Sequence, residues 1–155
     1  MVGIGQSKSP SFHDFKVPIY SGKAKAPRLE SKQSRLFRTS LEKAASGGVN
    51  FGGRYAITYW GCGASCGVGA IIDVVTGKVV FPRQLDGVWA KELPNNLDKK
   101  IPFGFRKDSR LLIFYGYLPG DYGGERRSYG LHYFLWNGSK LNRIRFEPKN
   151  WREDG

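Results

Sequence analysis

A chain of 155 residues that is 40% hydrophobic and 14% aromatic has the apolar material for one packed domain, which excludes disorder of the whole. Its 25 Lys and Arg against 13 Asp and Glu leave a net charge of +12, a field that favours encounter with anions but says nothing about fold. No run of 18 apolar residues occurs, so no segment reads as a membrane-spanning helix and no integral membrane insertion is expected.

Taken in chain order, residues 1–12 are small and polar and read as a flexible N-terminal segment, with residues 13–155 as a single globular domain. The opening Met1-Val-Gly-Ile-Gly-Gln6 lacks the basic and apolar regions of a signal peptide. It reads as a cytosolic start or as a mature form whose signal has been removed. Residues 15–20 alternate apolar and polar, but Pro18 confines them to an edge strand or an extended arm. A basic loop follows over 21–30. The spacing of Leu36, Phe37, Leu41, Ala44 and Ala45 predicts one amphipathic helix over 34–46, capped by Ser31 or Ser34 and stopped by Gly47-Gly48. Its other face carries Arg35, Arg38, Glu42 and Lys43, in a front region (Lys8 to Lys43) whose acids are Asp14, Glu30 and Glu42.

From Phe51 the periodicity turns strand-like. Tyr55, Ile57 and Tyr59 share one face of a strand over 54–60. A second strand over 68–75, the Thr76-Gly77 turn and a third strand over 78–81 complete a meander. Residues 84–107 read as loop. The segment from Arg110 repeats the plan, with strands over 110–117, 129–136 and 139–146 and Asn137-Gly138 as the tight turn. The 21 glycines and 8 prolines suit such short strands and turns. The expected fold is α+β: a mainly antiparallel sheet or open barrel of two three-stranded meander units, with one amphipathic helix packed on it.

Gly61-Cys-Gly-Ala-Ser-Cys-Gly67 is the most unusual local feature. Its glycines permit the tight turn that a Cys62–Cys66 disulfide needs, and such a bridge would fix the loop rather than hold up the domain. Two readings compete with it. One is zinc held by both thiolates with His13 and His132. The other is a nucleophilic Cys66 with His132 as base and Asp73 orienting it. Against both, the histidines are far apart in sequence, and His132 falls inside an apolar strand where a packed histidine is commoner. No metal or cofactor is expected. A disulfide favours an exported location, because cytosolic thiols stay reduced.

Phe37-Arg-Thr39, Asn50-Phe-Gly-Gly-Arg-Tyr55, Trp60-Gly-Cys-Gly-Ala-Ser-Cys66 and Ala70-Ile-Ile-Asp73 precede Thr76-Gly-Lys78, Asp108-Ser-Arg-Leu-Leu-Ile113 and Tyr133-Phe-Leu-Trp136. Together they resemble a group of uncharacterised exported bacterial proteins, over about residues 35–140. The resemblance implies a small periplasmic or secreted protein made with a signal peptide, which in this chain would have been removed. It implies no activity.

The second candidate site is the connection over 116–130, long for a compact domain. Tyr117, Asp121, Tyr122, Glu125, Arg126, Arg127 and Tyr129 are its candidate ligand-binding residues. Tyrosines supply flat stacking faces and arginines supply forked donors for phosphate or carboxylate. Its glycines fit no phosphate loop, because no Gly-Lys-Ser/Thr ending follows. Asp121 and Glu125 as paired glycosidase carboxylates, and Trp60, Trp89, Trp136 and Trp151 as a carbohydrate platform, rank below loop flexibility and core packing. The expected function is therefore a non-enzymatic basic binding protein for an anionic envelope surface or macromolecule, or an acidic protein. An envelope enzyme using Cys66 and His132 or the loop carboxylates is the first alternative. Nucleic-acid binding, which charge and aromatics favour but no motif supports, is the second.

Overall fold

The computed structural model describes residues 8–63, 66–91, 93, 101–119, 128–150 and 152, with the side chains of Cys62 and Cys66 outside that description. Two helices, α1 (Lys32–Leu36) and α2 (Arg38–Ser46), precede seven strands: β1 (Tyr55–Gly63), β2 (Cys66–Asp73), β3 (Val79–Val80), β4 (Asp86–Lys91), β5 (Leu111–Tyr117), β6 (Gly130–Trp136) and β7 (Leu141–Pro148). Every pairing is antiparallel. The ladder runs β1-β2-β4-β5-β6-β7, with β3 also on β2. The fold is thus α+β and mostly antiparallel sheet, and both expected meanders are present.

Two expectations need correction. Residues 84–107 are not all loop, since β4 lies within them and joins the meanders, pairing Gly67 with Val88 and Trp89 with Tyr117. Asp86-Gly87 at its start reads as a turn, and six residues are too few to show a clear alternation. The single helix is also two. Ser31 and Ser34 cap each other's backbone amides at 3.0 Å, starting α1 earlier than the apolar spacing suggests. The chain then breaks at Phe37 (φ −104°, ψ 26°). That break turns Phe37 onto Trp60, 4.7 Å between ring centroids, and leaves Leu36 at 74% exposure instead of on the apolar face.

The two sheet faces are buried differently. Ile57, Ile71, Val88, Leu112, Phe114, Phe134 and Trp136 line an inner core, into which Phe51, Phe103 and Phe105 also pack. Tyr55, Ile57 and Tyr59 share that face, as the alternation predicts. On the opposite face of β1 and β2, Ala56, Ala70, Ile72 and Val74 receive Leu41 and Ala45 of α2. The small Ala56 and Ala70 let the helix backbone come close. The ladders are strongly staggered, so the sheet curls although it stays open. The start of β1 meets the end of β6, where Tyr55 packs edge-on to Trp136 at 5.6 Å and 88°.

The N-terminal arm lies across this meeting point. Val17 donates to the Asp108 carbonyl at 2.8 Å and Tyr20 to the Gly53 carbonyl at 2.6 Å. Phe12–Phe15 form a 3-10 turn, and residues 16–20 are an extended arm, one of the two conformations compatible with Pro18. Gly53 (φ +84°) is required for the close approach, because a Cβ there would land on the Pro18 carbonyl oxygen. Within residues 8–12, the Phe12 carbonyl accepts from the Ser109 hydroxyl at 2.7 Å, and Ser9 donates to Glu147. Among the described residues no helix is long and apolar enough to cross a membrane.

Candidate binding sites

Of the loop residues singled out from the sequence, Asp121, Tyr122, Glu125, Arg126 and Arg127 lie outside the described residues. Tyr117 and Tyr129, at its base, are each 4% exposed. Their rings pack on each other at 5.0 Å, and Trp89 adds contacts at 5.3 and 6.4 Å. The stacking capacity of these two tyrosines is therefore taken up within the domain. The strand pairing Gly116↔Gly130 draws both ring-bearing neighbours inward, which alternation in a single strand cannot reveal.

Both sides of the cysteine segment are paired at the ends of β1 and β2, with Ala64 and Ser65 between them outside the described residues. Gly61 pairs with Gly67 and Gly63 with Cys66, with Cys62 as the extra residue of a bulge. Cys66, His132 and Asp73 are not brought together. Strands β4 and β5 separate β2 from β6. Asp73 lies at the opposite end of β2, seven residues from Cys66, roughly 23 Å at about 3.3 Å per residue.

Each of the other two residues has a different occupation. Asp73 forms a forked pair with Arg54 at 3.1 and 2.7 Å and accepts from the Val75 amide at 2.9 Å. Burial pushes its carboxyl up, but the Arg54 hydrogen bonds and the Val75 amide outweigh this and hold it below the ordinary carboxylate range. His132 is 0% exposed and lies between Phe114 (4.6 Å) and Phe146 (4.7 Å). Its Nε2–H donates to the Ser128 carbonyl at 2.6 Å, which assigns the proton to that nitrogen, and Nδ1 has no hydrogen-bond partner among the described residues. Burial pushes the imidazole pKa down. A neutral ring enclosed in aromatics is core, not an accessible base. No group of three His, Cys, Asp or Glu converges among the described residues.

Two surfaces among the described residues carry features suited to binding. The first is the layer formed by residues 21–46 over α2. Lys25 donates its amide to Val74 at 2.8 Å and Arg28 to Gly77 at 2.7 Å, tying the loop beside the helices. Arg28 pairs with Glu30 at 3.2 Å and Arg38 with Glu42 at 3.1 Å. Lys23, Lys25, Lys32, Arg35 and Lys43 are exposed, and none has a carboxylate partner among the described residues. The second surface is a cleft of about 500 Å³ between the N-terminal arm and the meeting point of β1 and β6. Arg54 and Arg110 stand at its walls. Sequence reasoning missed it, because its sides come from residues far apart in the chain. The Gly52-Gly53 pair was its one local sign.

The fold and these surfaces define a class: a small, curled antiparallel sheet with one helical layer and a cationic face. Comparison with family models, curated proteins and solved structures finds no match to the chain, so its function is argued from its own geometry.

Proposed function

We propose that this chain is a non-enzymatic basic binding protein of the periplasm or the cell exterior, taking an anionic envelope component on the layer formed by residues 21–46. The observation that carries this reading is the set of exposed cations on that layer that have no carboxylate partner among the described residues: Lys23, Lys25, Lys32, Arg35 and Lys43. Cations on one tied-down layer present a local field that a flexible polyanion can track. An acidic protein is the second partner of the same chemistry. The test is heparin binding across a salt series, comparing Lys23→Glu/Lys25→Glu/Lys43→Glu with Lys107→Glu/Lys140→Glu/Lys149→Glu. The first triple variant is expected to weaken binding tenfold or more at low salt and the second much less. Binding of the native chain should fall steeply towards 0.15 M salt, where the screening length is about 8 Å. Equal losses in both variants would reduce the effect to net charge, and salt-independent binding would remove the reading.

Export is supported by the resemblance stated above, and with it we propose a Cys62–Cys66 disulfide, which an oxidising compartment would preserve. The hairpin register sets the Cys62 backbone one ladder step from Cys66. Closing so short a ring is worth about 2 kcal/mol in the chain-entropy model before strain is subtracted. Non-reduced peptide mass spectrometry of protein purified under oxidising conditions is expected to yield the linked pair. Two freely alkylated thiols in that preparation would contradict it.

A further inference from the structure

We propose that the cleft between the N-terminal arm and the start of β1 binds a small organic anion with a flat apolar body, such as a two-ring aromatic carboxylate, seated with its acid group at Arg110. The cleft's volume of about 500 Å³ falls within the range of small-molecule sites. Its lining includes the half-buried Tyr55, which packs edge-on at 5.6 Å against Trp136, itself 1% exposed. Ile19 and Tyr20, 45% and 36% exposed, line it as well. Large apolar side chains half in water beside a tyrosine ring are an incomplete contact surface, and a flat apolar ligand would complete it.

Charge selects among flat ligands. The two arginines at the walls are not equivalent. Arg54 is already held by both oxygens of Asp73. Arg110 has no carboxylate partner among the described residues, and its side chain reaches the Trp136 carbonyl only at 3.5 Å. One cation is therefore unneutralised, which fits one carboxylate, and a guanidinium presents the fork that a carboxylate matches. The arm is tied at both ends of the cleft by the Val17–Asp108 and Tyr20–Gly53 backbone bonds. The site is thus formed in advance, and ordering it at binding costs little.

The experiment is calorimetric titration of the full chain with 2-naphthoate and with 2-naphthamide, its neutral counterpart of the same shape. The expected result is one equivalent of naphthoate per chain, bound about tenfold more tightly than the amide. Arg110→Gln is expected to abolish the advantage of the acid while leaving the amide affinity unchanged. Ile19→Ala is expected to weaken both ligands together. Lys43→Gln, on the helical layer, should alter neither. Equal affinity for acid and amide in the native chain, or no heat from either at millimolar concentration, would overturn the proposal without recourse to any variant. Several weak equivalents that decline in Lys43→Gln would show naphthoate condensing on the basic surface, and would overturn it too.

Discussion

Gly116→Ala is expected to lower the melting temperature by roughly 10 °C. Gly116 pairs with Ala90 of β4 on one side and Gly130 of β6 on the other. A Cβ there would fall on the Trp89 carbonyl oxygen and 2.9 Å from the Ala90 Cα. Both atoms are backbone, so no rotamer change relieves the clash, and β4 must shift away from β5. That ladder is short, made by Trp89↔Tyr117, Ala90↔Gly116 and Lys91↔Tyr115, and it joins the two meanders. Overpacking commonly costs about 1–3 kcal/mol, and an immovable neighbour places this site at the upper end. For a chain of this length each kcal/mol lowers the melting temperature by about 2–4 °C. Gly87→Ala is the control, since Gly87 has φ +86° but an added Cβ meets nothing within 4 Å. It should cost only the left-handed backbone penalty, about 1–2 kcal/mol. A Gly116→Ala variant no less stable than Gly87→Ala would show that the β4–β5 contact carries no special weight.

Acidification from pH 7 to 5 is expected to destabilise the protein through His132. The ring is enclosed by Phe114 and Phe146, with Nδ1 unpartnered among the described residues. Burial is the main cause of its lowered pKa; the Ser128 carbonyl raises it in part, and the Arg143 charge lowers it further. A histidine whose folded pKa lies below its unfolded value leaves stability untouched above about pH 6.5. Below that, the unfolded chain takes up the proton first. Stability then falls until the pH drops through the folded pKa, by about 1.4 kcal/mol for each unit of difference. Asp73 and Glu147, both held low in the folded state, lose their contributions only near and below pH 4, so the windows separate. Urea midpoints measured at pH 7, 6 and 5 test this. His132→Gln should be less stable at pH 7, because the packed ring is lost, yet nearly flat between pH 7 and 5. A slope that persists in His132→Gln would assign the effect elsewhere.

The strands legible in the sequence were those whose own residues alternate and whose turns carry a glycine. Tyr55, Ile57 and Tyr59 give β1 away, and Gly77 (φ +85°) and Gly138 (φ +97°) stand where the turn chemistry requires them. The apolar helix was legible from Leu41 and Ala45, but not the kink at Phe37, where the ring packs on Trp60 on the helix-covered face of the sheet. Strand β4 was illegible, because what makes it a strand is the pair of neighbours, β2 and β5, on either side of it. Propensity in six residues is weak beside that pairing.

The same division holds for the candidate sites. The sequence by itself determined the basic excess, the meanders and the cysteine spacing, because these depend on residue type and near neighbours. Tertiary structure alone decided that Tyr117 and Tyr129 are packed, that His132 is enclosed, and that Asp73 belongs to Arg54 rather than to Cys66. It also decided that Arg54, Tyr55, Arg110 and Trp136 share one cleft. Alternation along a strand distinguishes two faces but cannot say what lies against either. That is set by the stagger of the ladders, which curls the sheet until the start of β1 reaches the end of β6.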